Sequence, residues 1–307
     1  MDLQEIRTRL NKRKQVYLML LLPVALTAVL VYYPLWWWVI AFKFYALGQE
    51  VSAAKWAGFY HFKTFFAGSN NDWIYLFRNT LGMNILSMLA NIFGAMILAI
   101  LFHETCFKKT AKVVQTVSFF PFFISWVIVY AIVYSLFSVS NGIVNIYLLN
   151  NEIIKEPIEL LSDQRYSWFL IVMLNTWKSV GYSSIIYLAA ISGIPTDQYE
   201  AGEIDGVRRF GRIYHITIPN LLPTITVLLI LNSGWIFSSN LEQYFLFTNA
   251  VNYKTMEVFD MYIYRYGIKL LNYPYAVAVG IIKTFMSIAM IILANITAKK
   301  LSGKGIL

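Results

Sequence analysis

The sequence predicts an all-α integral membrane protein with six transmembrane helices. Of its 307 residues, 58% are hydrophobic and 13% are charged, whereas about a quarter of the residues in a soluble domain are charged. Six apolar runs each approach the roughly 20 residues that a helix needs to cross the hydrocarbon core. Lysine and arginine also concentrate in alternate loops, a pattern typical of a multi-pass membrane protein.

The first apolar run covers residues 16–40 and follows a basic segment. A cleaved signal peptide is the alternative interpretation, but its apolar region is about 7–15 residues long and ends at small side chains. Here bulky aromatic residues between Tyr32 and Trp38 stand where cleavage would occur. We therefore predict an uncleaved spanning helix with an aromatic belt at its outer end.

Five further apolar runs complete the predicted bundle. They cover residues 81–102, 113–137, 168–191, 221–240 and 276–298. The fifth run is diluted in its second half by Asn232, Ser233, Ser238 and Ser239. Six spans place both chain termini on the same side of the membrane.

The distribution of basic residues predicts which side that is. Segments 1–15, 103–112, 192–220 and 299–307 hold 14 lysines and arginines in about 63 residues, and the opposite loops hold nine in about 105. Loops rich in lysine and arginine lie in the cytoplasm. We therefore predict a cytoplasmic N-terminal segment (1–15), a six-helix domain (16–298) and a cytoplasmic tail (299–307). These loops account for the net charge of +9, so no nucleic-acid partner is predicted.

Several kinds of chemistry are not expected in this chain. Its single cysteine, Cys106, excludes an intrachain disulfide, and His61, His103 and His215 fall in separate loops. No phosphate-binding sequence of the form GxxxxGK[ST] occurs. We therefore predict no metal site, no cofactor and no ATP hydrolysis by the chain itself.

A polar loop between the fourth and fifth runs, residues 195–219, is the most informative stretch. Pro195 suits the first turn of a helix, because the missing N–H is not needed there, and residues 199–204 continue that helix. Gly206 allows a break at little steric cost, and Pro219 marks the start of the next apolar run. The loop is therefore predicted to form a helix–turn–helix.

Charged side chains surround the predicted break. Asp205 precedes Arg208 and Arg209 by three and four residues. This is the spacing of neighbours on one helical face. The spacing predicts that these side chains lie together.

The same loop resembles the EAA loop of ABC importer permeases. That motif reads Glu, Ala, a small residue, three positions, Gly, nine positions, Ile, one position, Leu and Pro. The matching positions here are Glu200, Ala201, Gly202, Gly206, Ile216, Ile218 and Pro219. Gly202 stands in place of Ala and Ile218 in place of Leu. An ordinary polar loop is the alternative interpretation.

In that family, the EAA loop is the cytoplasmic coupling helix that enters a groove of a separate ATPase subunit. The resemblance implies an ATPase-coupling role for Glu200, Ala201, Gly202, Asp205, Gly206, Ile216 and Pro219. Weaker similarities to carbohydrate-importer permeases cover nearly the whole chain. They include Arg78-Asn79-Thr80-Leu81, Pro121 with Ile124-Ser125-Trp126, and Trp56-Ala57-Gly58-Phe59. The last of these is similar to a subgroup that handles oligosaccharides derived from polysaccharides.

The resemblance implies an ABC type I importer permease fold in the plasma membrane of a bacterium. The implied partners are a second homologous permease subunit, two ATPase subunits that bind ATP and Mg, an extracellular solute-binding protein, an oligosaccharide substrate and membrane lipid. Three alternatives remain: a permease of this architecture for a non-sugar solute, a secondary transporter, and an integral membrane enzyme. The EAA loop and the scarcity of carboxylates within the spans argue against the last two.

Polar residues in the fourth and fifth runs are the candidate substrate contacts. Aromatic faces bind the CH surfaces of sugars, and amides and hydroxyls bind their OH groups. The candidates are Asn175, Lys178, Ser179, Tyr182, Asn232, Trp235 and Ser238. The second run adds a polar face formed by Thr80, Asn84, Ser87, Asn91 and Gly94. Hydrogen bonding between helices is the alternative role for all of these residues.

Two lysines lie well inside the predicted spans, where a charge is costly. Lys283 is close enough to the outer end of its helix for its ammonium group to reach the interface. Lys178 lies deeper, without an evident carboxylate partner in its own spans. Its ammonium group is predicted either to bind an anionic sugar such as a uronic acid, or to hydrogen-bond helix carbonyls or a residue of a partner chain.

Overall fold

The computed structural model describes residues 14–68 and 71–302, and the part of the chain that it describes is almost entirely helical. The helices, in chain order, are α1 (Lys14–Phe42), α2 (Tyr60–Ala67), α3 (Asp72–Glu104), α4 (Lys108–Phe123), α5 (Trp126–Phe137), α6 (Ile143–Asn150), α7 (Gln164–Ser192), α8 (Thr196–Ile204), α9 (Arg209–Ser233), α10 (Leu241–Phe247), α11 (Tyr253–Met256), α12 (Phe259–Tyr264) and α13 (Tyr273–Ser302). Two short antiparallel strands, β1 (Lys43–Phe44) and β2 (Lys55–Trp56), pair Lys43 with Trp56. The predicted all-α fold is confirmed. Most of the basic N-terminal segment and Lys304 lie outside the described residues.

Four of the described helices are long and apolar enough to cross a membrane: α1, α3, α9 and α13. The pair α4 and α5 counts as a fifth span if it is taken as one broken helix. Helix α7 has 29 residues, but Asn175, Lys178 and Ser179 reduce its apolar character. It packs lengthwise against α3, so protein covers part of this polar surface. Helix α7 is not among the helices that qualify as spans, so the sixth span stays a prediction, whereas the multi-pass membrane character is clear.

The third predicted run, 113–137, is not one straight helix. Helices α4 and α5 meet at an angle of 101°. Pro121 lies just before the break and has no N–H to donate, and the Ser125 side chain caps the new helix by accepting from the N–H of Ile128 at 3.4 Å. These two residues give the physical reason for the bend.

The fifth predicted run, 221–240, was placed too late in the sequence. Helix α9 begins at Arg209 and ends at Ser233. The Asn232 amide donates to the carbonyl of Leu228, and the Ser233 hydroxyl donates to that of Ile230. Such local bonds compete with continuation of the helix, and residues 234–240 leave it.

Helices α3 and α7 form the most extensive helix pair in the described chain. A methyl group added at Gly82 would lie 2.3 Å from the ring of Trp168, and one at Gly94 would lie 3.1 Å from Val180. The small residues therefore allow the two helices to approach closely, as is usual between membrane helices. By contrast, the membrane-spanning window of α1 has no buried residue in this chain, and the buried residues of α1 are near its end, at Ile40 and Ala41.

Candidate functional site: a helix–turn–helix loop and a polar cavity

The loop 195–219 folds as the predicted helix–turn–helix. Helix α8 begins after Pro195 and ends at Ile204. Gly206 adopts a left-handed φ of +74°. Its N–H donates to the carbonyl of Glu203 at 3.1 Å, and the N–H of Val207 donates to that of Gly202 at 2.8 Å. This is the Schellman arrangement that ends a helix at glycine, so the sequence itself determines the sharp turn.

Packing explains why a small residue is needed at position 202. Gly202 is buried, and a Cβ there would lie 3.0 Å from Cδ1 of Ile216 on the other arm of the loop. The hydroxyls of Tyr199 and Thr217 hydrogen-bond across the same gap at 3.1 Å. Gly202, Gly206 and Ile216 therefore hold the two arms together as one unit.

The beginning of α9 contains a π-helical turn, Ile213–Thr217, just before Pro219. The N–H of Ile218 donates to the carbonyl of Ile213, five residues back. Pro219 has no N–H for the ordinary helical bond, and the wider turn accommodates it. Pro219 therefore lies within α9 rather than at its start.

The other motif residues face outward. Glu200, Ala201 and Asp205 are exposed, and two large apolar side chains beside them, Ile204 and Phe210, are 87% and 84% exposed. These five exposed acidic and apolar residues lie on both sides of the turn, and we call them together the loop face. Such a combination suits contact with another protein.

The predicted grouping of Asp205 with Arg208 and Arg209 is wrong. Helix α8 ends at Ile204 and α9 starts at Arg209, so the three residues do not share a helical face. Arg209 instead contacts Glu104, the last residue of α3. Its Nε lies 3.1 Å from Glu104 Oε2, and its Nη2 donates to the Glu104 carbonyl at 2.6 Å.

A polar cavity of about 260 Å³ lies between α3, α7 and the end of α9. Five of the seven candidate substrate residues line it: Asn175, Ser179, Asn232, Trp235 and Ser238. The polar face of α3 contributes Asn84, Ser87 and Asn91. All of its lining residues are uncharged, and Trp235 is 72% exposed. Amides, hydroxyls and one aromatic face are thus available to a ligand rich in hydroxyl groups.

Some of these side chains also connect helices. The Asn91 amide donates to the Ser179 hydroxyl at 2.6 Å, and the Asn84 amide donates to the carbonyl of Ile236 at 2.7 Å. The hydroxyl of Ser87 is buried without a hydrogen-bond partner in the described chain. A buried hydroxyl without a hydrogen-bond partner is costly. The Ser87 hydroxyl is therefore available to bond a water molecule or a ligand.

The remaining two candidates lie elsewhere. The Tyr182 ring stacks on Phe122 with 4.2 Å between ring centroids. The Lys178 ammonium donates to the carbonyls of Pro121 at 3.1 Å and of Phe122 at 2.8 Å, and also to that of Ile124. Lys178 therefore bonds the carbonyls at the break between α4 and α5, which was the alternative to an anion-binding role.

Lys283, whose ammonium group is predicted to reach the interface, pairs with a carboxylate. Its Nζ lies 2.5 Å from Asp260 Oδ1, and Asp260 Oδ2 accepts from the N–H of Ser239 at 2.7 Å. This pair lies on the wall of a wide, mainly apolar groove of about 1110 Å³ between α1, α9, α12 and α13. Trp235 and Ser238 line both the groove and the polar cavity. In the described residues, no group of three His, Cys, Asp or Glu side chains is positioned to hold a metal ion.

The N-terminal end of α3 is fixed by a hydrogen-bonded cluster. The Asn79 amide donates to the carbonyls of Lys254 at 2.8 Å and Glu257 at 3.1 Å. The buried Glu257 carboxylate pairs with Arg265 through Nε at 2.7 Å and accepts from the Tyr75 hydroxyl at 2.7 Å. Burial raises the pKa of Glu257 above its ordinary value, against the opposing effects of those two partners. The Arg78-Asn79-Thr80 motif thus has a structural role at this end.

Arg265→Met should destabilise the bundle around the N-terminal end of α3. Loss of one partner of a buried ion pair leaves the other charge uncompensated and costs roughly 3–5 kcal/mol. We expect the lower end of this range, because the Arg265 side chain retains 32% exposure. Thermal unfolding in detergent should show a lower midpoint. Arg165→Met, at an ion pair where the arginine side chain is 82% exposed, is the control and should leave the midpoint unchanged. Equal midpoints for the two variants would contradict the prediction.

The chain is similar to known proteins over the regions that contain the loop 195–219 and the polar cavity. Residues 92–303 match the family described as "Binding-protein-dependent transport system inner membrane component". The chain is 37% identical over 299 residues to protein LplB of Bacillus subtilis (strain 168), with coverage of 97% of this chain and 92% of LplB. It is 33% identical over 302 residues to the polygalacturonan/rhamnogalacturonan transport system permease protein YteP of the same organism, again covering 97% and 92%.

A solved structure is similar over almost the whole length. The fold matches a chain of a bacterial ABC transporter involved in the import of the acidic polysaccharide alginate, with a TM-score of 0.86 and 31% sequence identity. The match covers 97% of this chain and 99% of that chain. The same values describe the match to a bacterial alginate ABC transporter in complex with an alginate pentasaccharide-bound periplasmic protein.

Proposed function

The chain belongs to the family of binding-protein-dependent transport system inner membrane components, and from this premise we propose that it is one of two transmembrane subunits of an ABC importer for an oligosaccharide. The observation that carries the proposal is the loop 195–219. It has the EAA spacing, folds as a helix–turn–helix, and presents acidic and apolar side chains on the loop face.

The loop face is the proposed docking surface for a separate ATPase subunit. The ATPase subunit, and not this chain, would bind ATP and Mg. A second permease subunit would carry an equivalent loop for a second ATPase. Closure of the ATPases would then bias the permease pair between two states, as alternating access requires.

The proposed substrate is an oligosaccharide delivered by an extracellular solute-binding protein. The relatives' names concern polygalacturonan, rhamnogalacturonan and alginate, and the polar cavity offers amides, hydroxyls and Trp235. Its walls are uncharged, and Lys283 in the adjoining groove is neutralised by Asp260. We therefore propose that this chain recognises the hydroxyls and ring faces of the sugar.

The proposed orientation predicts the result of cysteine labelling. In a Cys106→Ser background, cysteines introduced at Lys109 or Arg212 should react only from the cytoplasmic side, because they belong to the lysine- and arginine-rich loops. Cysteines at Glu156 or Lys254 should react only from outside. Labelling of position 212 by an impermeant reagent in intact cells would contradict both the topology and the docking role of the loop.

Co-purification and transport assays test the function directly. The chain should co-purify with a second permease and two ATPase subunits, and the reconstituted complex should hydrolyse ATP faster with the sugar-loaded binding protein. Oligosaccharide uptake without ATP, driven by an ion gradient, would instead support the secondary-transporter alternative. Stimulation by non-sugar solutes alone would support a permease for another substrate class.

A further inference from the structure

The contact between Arg209 and Glu104 joins the loop to a helix that also lines the cavity. Arg209 is the first residue of α9, directly after the turn, and Glu104 is the last residue of α3. The guanidinium makes two contacts, one with the Glu104 carboxylate at 3.1 Å and one with its backbone carbonyl at 2.6 Å. The Glu104 side chain is only 12% exposed, so solvent screens this pair less than it screens a pair on the open surface.

The first arm of the loop also contacts the end of α3. The His103 ring lies against the ring of Tyr199 on α8, with 5.9 Å between centroids. The hydroxyl of Tyr199 in turn bonds Thr217 on the second arm. Both arms of the helix–turn–helix are therefore fixed to the same helix end, and the loop and α3 form one mechanical unit.

Helix α3 connects this unit to the cavity without interruption. It runs from Asp72 to Glu104; at 1.5 Å per residue, Asn91 lies about 20 Å and Asn84 about 30 Å from Glu104. Both amides lie on the cavity wall. The close packing of Gly82 and Gly94 on α7 makes α3 and α7 move together, and α7 supplies Asn175 and Ser179 to the same wall.

We propose that Glu104 and Arg209 are positioning residues of the transport cycle: their ion pair transmits displacement of the loop to α3 and thereby to the cavity. The proposal rests on the proposed function, because it requires an ATPase that displaces the loop. In the competing explanation, Arg209 only caps the carbonyl end of α3, as cations commonly do at helix C-termini.

Glu104→Gln separates the two explanations, because it removes the carboxylate charge and leaves the backbone carbonyl that Arg209 also contacts. The assay uses the complete transporter in proteoliposomes, with the sugar-loaded binding protein, and measures uptake, sugar-stimulated ATP hydrolysis and the amount of ATPase bound. We expect Glu104→Gln, Glu104→Arg and Arg209→Glu each to lower uptake and stimulation at least tenfold while the ATPase stays bound. Arg208→Gln, at the adjacent exposed arginine, is the matched control and should behave as wild type.

The charge reversal Glu104→Arg/Arg209→Glu should recover uptake at least fivefold over either single variant. Recovery should be partial, because glutamate at position 209 cannot donate to the carbonyl of residue 104. Normal uptake by Glu104→Gln would overturn the proposal, and so would loss of the bound ATPase from the single variants, which would make Arg209 a docking residue. A wild-type complex without bound ATPase or uptake would instead refute the proposed function.

Discussion

Glu200→Lys should abolish uptake while leaving the membrane bundle folded. Glu200 is exposed on the loop face, and α8 instead contacts the other arm of the loop through Tyr199, which bonds Thr217, and through Gly202, which lies against Ile216. Removal of this carboxylate therefore costs the bundle little. The reversal should act on docking, because in the resembled family this glutamate pairs with a basic residue of the ATPase groove.

The expected loss of ATPase binding follows from the desolvation of the charge pair in the interface. An exposed ion pair contributes about 1 kcal/mol or less, but breaking a hydrogen-bonded charge pair buried in an interface costs about 2–5 kcal/mol. Reversal of the charge should therefore weaken ATPase binding by about 30-fold or more, since each 1.4 kcal/mol is tenfold. Co-purification of the ATPase, uptake and sugar-stimulated ATP hydrolysis should all decrease together.

Asp197→Lys provides the matched control. Asp197 is an exposed carboxylate in the first turn of the same helix, three residues before Glu200, and lies outside the EAA spacing. Its reversal changes the net charge equally and should be milder. Full uptake by Glu200→Lys with a stoichiometric ATPase still bound would refute the docking role of Glu200.

Local sequence signals predicted the fold of the loop, but they could not predict contacts between residues that are far apart in the sequence. Pro195 and Gly206 act within one helical turn of their own positions, so their effect could be read directly from the sequence. Arg209 and Glu104 are separated by 105 residues, and nothing in the local spacing favoured that pair over Asp205. The break at Ile124 and Ser125 was missed because the surrounding residues are apolar on both sides, so hydrophobicity alone indicates one continuous span.

Helical periodicity explains which substrate candidates reach the cavity. Asn175, Ser179 and Ser183 follow each other at four-residue intervals and share one face of α7, and all three line the cavity. The sequence reasoning missed Ser183, although this interval could have identified it. Lys178 and Tyr182 are also four residues apart, but they occupy the adjacent face, which packs on the break between α4 and α5. Residue type alone could not separate these two faces.

Lys178→Met should impair the uptake of neutral and acidic oligosaccharides equally. The Lys178 ammonium donates to three carbonyls at the break, and the N–H of Ile124 gives Pro121 a second donor at 3.2 Å. The carbonyls of Phe122 and Ile124 therefore depend most on Lys178. Carbonyls left unpaired within a membrane are costly, and membrane proteins tolerate irregular backbone there only where such groups are satisfied. The rings of Phe122 and Trp126, with centroids 6.0 and 5.6 Å from the ammonium, add cation–π attraction that methionine lacks.

The measurement that separates this role from substrate recognition is uptake of a matched pair of neutral and uronic-acid oligosaccharides, together with thermal unfolding in detergent. We expect Lys178→Met to lower the unfolding midpoint and to reduce both uptake rates by the same factor. Lys178→Arg keeps a cationic donor and should retain more of both uptake rates than Lys178→Met. Tyr182→Phe, one helical turn away, preserves the stacked ring and should leave the midpoint unchanged. A variant Lys178→Met with an unchanged midpoint and a selective loss of acidic substrate would instead restore the anion-binding role, because only contact with the sugar carboxylate could separate the two substrates.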